Sequence, residues 1–315
     1  MTIAMVFPGQ GSQSRGMQAE LAAEFGAVTE TYAEASEILG YDLWTVVQHD
    51  GEGRLDETVV TQPAMLTAGV AAWRVWQAAG GSEPAQMAGH SLGEYTALVC
   101  AGAVSFADAL SVVSQRSKLM QDAVPTGNGA MAAILGLDDE TITAVCKTAA
   151  EGMVAEPVNF NAPGQVVIAG DKLAVERTIE LAKQQGARRA IALPVSVPAH
   201  SSLMRKAGEA LAEELARVQF STPDIRVVAA ADALPYADAD DIRRRLSRQV
   251  YSPVRWVATV NAMLQAGAGI VIEAGPGNVL AGLMRRIDKA VPVAAIDSTD
   301  GLAKALTLRP MTGSD

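Results

Sequence analysis

The stretch Gln86-Met87-Ala88-Gly89-His90-Ser91-Leu92-Gly93-Glu94-Tyr95-Thr96-Ala97-Leu98-Val99-Cys100-Ala101 passes from a short apolar segment, through a Gly-rich pentapeptide, into a longer apolar segment. The first segment reads as the end of a buried strand and the second as a helix. A G-x-S-x-G pentapeptide at a strand-to-helix turn is a nucleophile elbow. Its glycines flank a serine held in a tight turn, where a neighbouring side chain would clash. The following helix aims its free N–H groups at the place where an oxyanion would develop. The competing reading is a plain Gly-Ser turn ahead of a core helix. The strand-turn-helix context favours the elbow, and with it a parallel-sheet α/β core.

Working outward, Thr2-Ile3-Ala4-Met5-Val6-Phe7 is a continuous apolar run, the mark of a parallel strand buried on both faces. Pro8-Gly9-Gln10-Gly11-Ser12-Gln13 closes it as a tight loop whose backbone N–H groups can face a site. It is not a dinucleotide fingerprint, because Ser14 stands at the third glycine position. Helical stretches follow over 17–25 and 28–39, and Gly40 stops the second. Thr61-Gln62-Pro63 opens a helix through Trp76, with the proline in its first turn. Ser105 is placed to cap a helix over 106–120 that contains Arg116.

Pro125-Thr126-Gly127-Asn128-Gly129 is punctuation of a linker type. Beyond it the order is strand, helix, strand, strand, helix, strand, which is a split ferredoxin-like unit over 127–197. The expected organisation is therefore a large hydrolase-like domain over 1–126 and 198–315, with a small ferredoxin-like subdomain inserted at 127–197. The large domain resumes with a helix over 202–218, a strand over 225–229, a helical segment within 236–247, a helix over 256–266, a strand over 270–273 and a helix over 279–287. The tail after Leu308 reads as frayed.

With 315 residues, 49% hydrophobic and 19% charged, the chain has ample material for a large globular core. A net charge of -10 leaves no domain-wide basic face and excludes a nucleic-acid partner. Cys100 and Cys146 stand in no metal or redox spacing, and no metal or cofactor is expected. The start of the chain has no basic, apolar leader pattern, and the longest apolar stretch is broken by Gly102 and Asp108. The expectation is a cytoplasmic protein without a membrane span.

A serine hydroxyl needs a base. Of three histidines, His49 falls in a polar loop, and His90, adjacent to Ser91, should point away from its side chain. His200 follows the Val195-Ser196-Val197-Pro198 strand end at the junction of the two units and is the best base. Only neutral imidazole accepts the proton, so attack by Ser91 is expected to weaken as pH falls through the ordinary histidine range. No acid stands at the chain position an α/β-hydrolase triad requires; Asp171, Asp232 and Glu273 are misplaced. A dyad oriented by a backbone carbonyl is an allowed solution. Arg116 is a lone cation that near the site would grip a carboxylate in a fork, and elsewhere would be a surface arginine.

Eight segments in order carry a resemblance. They are Phe7-Pro8-Gly9-Gln10-Gly11-Ser12-Gln13, Thr61-Gln62-Pro63-Ala64, Gly89 to Tyr95, Gln115-Arg116, Asn159-Phe160-Asn161-Ala162-Pro163-Gly164-Gln165 with the strand to Gly170, Val197-Pro198-Ala199-His200, Arg248-Gln249 with Pro253-Val254-Arg255-Trp256, and Glu273-Ala274-Gly275-Pro276-Gly277. Together they resemble the malonyl-CoA:acyl carrier protein transacylases, acyltransferases of fatty acid synthesis, from residue 3 to about 308. The resemblance implies a ping-pong transfer of malonyl from malonyl-CoA to the thiol of an acyl carrier protein, through an acyl-Ser91 with His200 as base and then acid. It implies an oxyanion hole from the backbone N–H groups of Gln10 and Leu92, Arg116 on the malonyl carboxylate and the Gln249 carbonyl orienting His200. It places Gln62, Asn161 and Gln165 along the cleft. A monomer is expected, although nothing in the sequence sets the oligomeric state. Related enzymes often carry Asn-Asn where this chain has Ala229-Ala230-Ala231. Such a site would also suit a malonyl loader for a polyketide synthase or a malonate decarboxylase, or a serine thioesterase. An acidic carrier would need a local basic patch, with Lys183, Arg188 and Arg189, or Arg243, Arg244, Arg245 and Arg248, as candidates.

Overall fold

The computed structural model describes residues 2–51, 53–195 and 197–308; Ser196 and the tail beyond Leu308 lie outside the described residues. The elements run β1 (Thr2–Phe7), α1 (Ala19–Glu24), α2 (Gly26–Leu39), α3 (Leu43–His49), a 3₁₀ turn (Arg54–Asp56), α4 (Thr58–Ala78), β2 (Gln86–Gly89), α5 (Gly93–Cys100) and α6 (Phe106–Asp122). There follow β3 (Gly129–Leu135), α7 (Asp139–Ala150), β4 (Ala155–Ala162), β5 (Gln165–Asp171), α8 (Lys172–Gln184) and β6 (Arg189–Ala192). After a 3₁₀ turn (Ser202–Met204) come α9 (Arg205–Ala216), β7 (Arg226–Val228), α10 (Ala239–Gln249), α11 (Trp256–Gln265), β8 (Ala268–Ala274), α12 (Val279–Ile287), β9 (Val293–Ile296) and α13 (Thr299–Thr307).

Five strands form a parallel sheet in the order β7-β2-β1-β8-β9. The continuous apolar run of β1 is explained by burial on both faces. Met5 and Phe7 join one apolar cluster with α4 and α5, while Ala4 and Val6 join the other with α11 and α12. The second sheet has the order β4-β5-β3-β6, all antiparallel, with α7 and α8 packed against it. The molecule is thus an α/β-hydrolase-like core carrying a ferredoxin-like unit. The two sheets are stitched together beside the elbow. Val254 exchanges backbone hydrogen bonds with Val158 and Phe160 on β4 at 2.8 and 2.9 Å. Glu156 on β4 accepts from the backbone N–H and hydroxyl of Ser202 at 2.7 and 2.8 Å.

Several local expectations are corrected. α4 begins at Thr58, so Pro63 sits in the helix interior and not in the first turn. The helix is almost wholly buried, and packing overrides the local penalty of the missing N–H. His49 is not in a loop but is the exposed last residue of α3, which Asp42 caps by accepting from the Thr45 N–H at 2.9 Å. The anticipated strand end at Val195 and Val197 is irregular chain; β6 stops at Ala192. β9 and α13, which local pattern did not mark, become regular by docking β9 on β8.

The elbow is made by the crossing of β1, β2 and α5. His90 N–H donates to Phe7 O at 3.0 Å, which locks the turn to the end of β1. A Cβ on Gly93 would lie 2.0 Å from Phe7 O, and one on Gly89 would lie 1.8 Å from the Gly93 carbonyl carbon. Gly93→Ala must therefore push backbone against backbone, and a loss of about 3 kcal/mol or more is expected. Gly282→Ala, in α12 with nothing within 4 Å of its added methyl, is expected to be neutral or stabilising by up to about 1 kcal/mol. Urea unfolding of the two variants against the parent measures the contrast.

Candidate active site

Ser91 follows β2 at φ 53°, in the left-handed region that a serine occupies only under constraint. That turn lifts its side chain out of the sheet into a cavity of about 690 Å³. His200, 109 residues later, also has a positive φ, 66°, and its N–H donates to Val250 O at 2.8 Å. The Ser91 hydroxyl donates to His200 Nε2 at 2.7 Å. On the other side of the ring, Nδ1–H donates to Gln249 O at 2.9 Å and to Ser252 O at 3.2 Å. Two carbonyls at Nδ1 fix the tautomer, leaving the Nε2 lone pair for the serine. No carboxylate is needed to orient the ring.

His200 is 3% exposed. Burial, then the charge of Arg116, push its pKa down to about 3, against smaller upward effects from the Gln249 and Ser252 carbonyls. The ordinary-range titration anticipated from residue type is therefore displaced: the imidazole stays neutral far into acid.

Arg116, on α6, is 1% exposed and lies inside the site, not on the surface. Its Nη2 donates to Gln249 Oε1 at 3.1 Å and reaches Ser91 Oγ at 3.3 Å; its Nη1 donates to Gln62 Oε1 at 2.5 Å. Its guanidinium carbon is 5.5 Å from the centroid of the Tyr95 ring. Among the described residues it has no carboxylate partner, and its Nε has no hydrogen-bond partner. Burial lowers its pKa from the ordinary arginine value.

The backbone N–H groups of Gln10 and Leu92 both adjoin the cavity, and neither donates to another group among the described residues. The loop that carries Gln10 is pinned. Thr58 donates to Gln10 Oε1 at 2.9 Å, Gly11 N–H to Gln13 Oε1 at 2.7 Å, and Gln13 Nε2 to Asp56 at 3.0 Å. Gly9 permits its approach, since a Cβ there would lie 2.5 Å from His90 O.

Of the residues expected along the cleft, Gln62 lines the cavity and the other two do not. Asn161 is tucked behind it, with its Oδ1 2.8 Å from His90 Nε2, and this bond turns His90 away from the serine hydroxyl. Gln165 pairs with Arg286 outside the cleft; Asn159, two residues before Asn161, lines the wall instead. The basic-patch candidates divide. Arg243 is paired with Asp240, Arg244 with Asp241, Arg245 with Asp232 and Asp241, and Lys183 with Glu180. Arg188, Arg189 and Arg248 are exposed and carry no ion pair among the described residues.

Two residues that brace the site from behind the cavity wall escaped the sequence reading. Glu94, one residue past the elbow, is 1% exposed and accepts from Gln249 Nε2 at 2.8 Å, from Ala230 N–H at 3.3 Å and from the Tyr236 hydroxyl. Its place in the motif was a signal; nothing local marks Tyr236. Where an Asn pair was expected, the Ala229-Ala230-Ala231 segment serves through its backbone, and the Ala230 carbonyl accepts from Arg255 N–H at 2.7 Å.

Known proteins match this chain throughout. Residues 4–299 match the acyl transferase domain family. The malonyl CoA-acyl carrier protein transacylase of Salmonella typhimurium is 54% identical over 96% of this chain and 98% of its own length, and that of Bacillus subtilis is 41% identical over 96% of both. Among solved structures, the malonyl CoA-acyl carrier protein transacylase of Coxiella burnetii superposes with a TM-score of 0.95 at 46% identity, over 97% of each chain. A type II PKS acyl-carrier protein in complex with its malonyl-transacylase gives a TM-score of 0.96 at 52% identity, over 97% of this chain and 99% of that one.

The depressed His200 pKa makes a direct expectation. Labelling of Ser91 by a small uncharged sulfonyl fluoride should proceed at a rate constant that is flat from pH 8 down to about 5, because neutral imidazole persists throughout. Peptide mass spectrometry against time reads it. A midpoint near 6.5 would show that the ring titrates as an ordinary histidine.

Proposed function

The chain belongs to the acyl transferase family that includes the malonyl CoA-acyl carrier protein transacylases, and from that membership we propose how its residues move a malonyl group from malonyl-CoA to the thiol of an acyl carrier protein. The transfer is a ping-pong reaction through a serine ester. Ser91 Oγ attacks the thioester carbonyl while His200 Nε2 takes its proton. The oxyanion that forms is received by the N–H groups of Gln10 and Leu92. Collapse breaks the carbon–sulfur bond, and the imidazolium returns the proton to the departing thiolate of coenzyme A. The carrier's thiol then gives its proton to His200 and attacks the acyl-Ser91 carbonyl by the same path reversed. The reading includes a cytoplasmic monomer that needs no metal or cofactor.

The observation that carries the malonyl assignment is Arg116. A buried guanidinium faced by neutral oxygens is a binding site awaiting an anion, since an isolated buried charge is strongly disfavoured. A malonyl thioester brings its carboxylate into the cavity as the carbonyl reaches Ser91, and the two parallel N–H bonds of a guanidinium match it. Pairing also removes the second cause of the low His200 pKa, the charge of Arg116, so the right substrate makes the base more basic. An acetyl group does neither.

Malonyl-CoA should add one malonyl group to the peptide containing Ser91, and Ser91→Ala should abolish it. Arg116→Ala should lower the ratio of kcat/KM for malonyl-CoA to that for acetyl-CoA at least about tenfold, the equivalent of 1.4 kcal/mol. Arg116→Lys should restore only part, because an ammonium lacks the fork. A ratio unmoved in Arg116→Ala would remove the carboxylate clamp from the proposal.

For the carrier, like charge makes a local cationic contact necessary on a chain of net charge -10. Arg189 is the first residue of β6 and Arg188 precedes it; the continuation of that strand through Leu193, Pro194 and Val195 lines the cavity. Reversal of both charges should raise KM for the carrier roughly threefold or more and leave acylation by malonyl-CoA unchanged. If both half-reactions fall together, the pair is structural.

A further inference from the structure

Gln249 joins the site through both its main chain and its side chain. Its carbonyl oxygen on the main chain holds His200, and its side-chain amide lies between Arg116 and Glu94. An amide in such a place has two orientations, related by a half-turn. In one, Oε1 accepts from Arg116; in the other, Nε2–H₂ faces the guanidinium, donor against donor. The far end of the amide decides between them. Nε2 donates to two acceptors, Glu94 Oε2 and Ser91 O, both at 2.8 Å. An ionised carboxylate has only acceptors to offer, so it holds the NH₂ group on its own side.

Glu94 is 1% exposed, where burial pushes its pKa up, and each of its partners is a donor, the set that an acceptor-only carboxylate requires. The Tyr236 hydroxyl donates to its Oε1, and this bond with those from Gln249 and the Ala230 N–H opposes the rise. Tyr236 is itself held rigidly. The Arg245 guanidinium carbon sits 4.6 Å from its ring centroid, and Arg245 is tied to Asp232, Asp241 and the carbonyls of Leu234 and Pro235. Neither Tyr236 nor Glu94 lines the cavity, so neither touches an acyl group.

We propose that Glu94 and Tyr236 are a positioning pair that sets the orientation of the Gln249 amide, holds Arg116 in place for a carboxylate-bearing acyl group, and so sets the preference for that group over a neutral one. This rests on the acyltransferase reading above and adds two residues that act through a third.

The test is kcat/KM for malonyl-CoA and for acetyl-CoA in the parent protein, Glu94→Gln and Tyr236→Phe. Glu94→Gln removes the charge and lets the partner amide offer either a donor or an acceptor. Tyr236→Phe keeps the ring under Arg245 and removes only the hydroxyl, so it remains informative if Glu94→Gln does not fold. The expected result is a malonyl-to-acetyl ratio lowered about fivefold to tenfold in each, through a raised KM for malonyl-CoA, with acetyl transfer within about threefold of the parent. A structural role alone would lower both substrates in parallel. A parallel fall, or an unmoved ratio, in variants of a parent that does prefer malonyl-CoA overturns the positioning role and leaves the acyltransferase reading standing. A parent with no such preference overturns both.

Discussion

A guanidinium withdrawn from water and given only amide, hydroxyl and ring contacts is the feature around which the catalytic half of this protein is arranged. Removing a cation from water is unfavourable by several kcal/mol unless partners replace its hydration. Here Gln62 from α4 and Gln249 from α10 supply oxygens, and the Tyr95 ring offers its face. The Glu94 carboxylate is separated from Arg116 by the Gln249 amide, which bonds to both. The charge is thus stabilised enough for the fold to hold it, but its fork is not closed by a protein anion. In the proposed reading that residual demand is what selects the substrate.

The same charge acts on His200. His200 lies in the field of Arg116 as well as in a dry environment, and both depress its basicity. A base of low pKa is protonated by little in the resting protein, and it becomes stronger when an anion neutralises its neighbour. Ser91, His200 and Arg116 meet within two hydrogen bonds, at 2.7 Å from Ser91 Oγ to His200 and 3.3 Å to Arg116. Orientation comes from main-chain carbonyls, which carry no ionic charge. An aspartate at Nδ1 would have worked against this tuning by raising the imidazole pKa.

The ferredoxin-like unit contributes more than a wall. Its strand β4 bonds to Val254, just beyond the carbonyls that hold His200, while Glu156 of the same strand holds Ser202, just beyond the histidine. Asn161, also on β4, fixes His90 next to the nucleophile. The strained backbone of His200, φ 66°, is therefore held between two segments that β4 anchors, and its own N–H is tied to Val250 O. A residue in that region persists only where its surroundings over-determine it.

What the amino-acid order determined unaided is what depends on short-range pattern. The continuous apolar run of residues 2–7 demanded a strand buried on both faces, and the glycines of Gly89-His90-Ser91-Leu92-Gly93 demanded a close crossing. The alternation of strands and helices after Asn128 specified a ferredoxin-like unit. Motif order was enough to bring Ser91, His200, Arg116 and Gln249 under suspicion together. Tertiary structure alone decided the rest, because those outcomes depend on what lies across space. Burial put Arg116 inside and lowered the His200 pKa, neither of which residue type reveals. Pairing removed Arg243, Arg244 and Arg245 from the set of free cations, and placed Gln165 outside the cleft although it sits in the same motif as Asn159. The bond between Glu94 and Tyr236 joins residues 142 positions apart in the chain. Local periodicity carries no information at that separation; only the packing of α5 against the chain that follows β7 brings the two together.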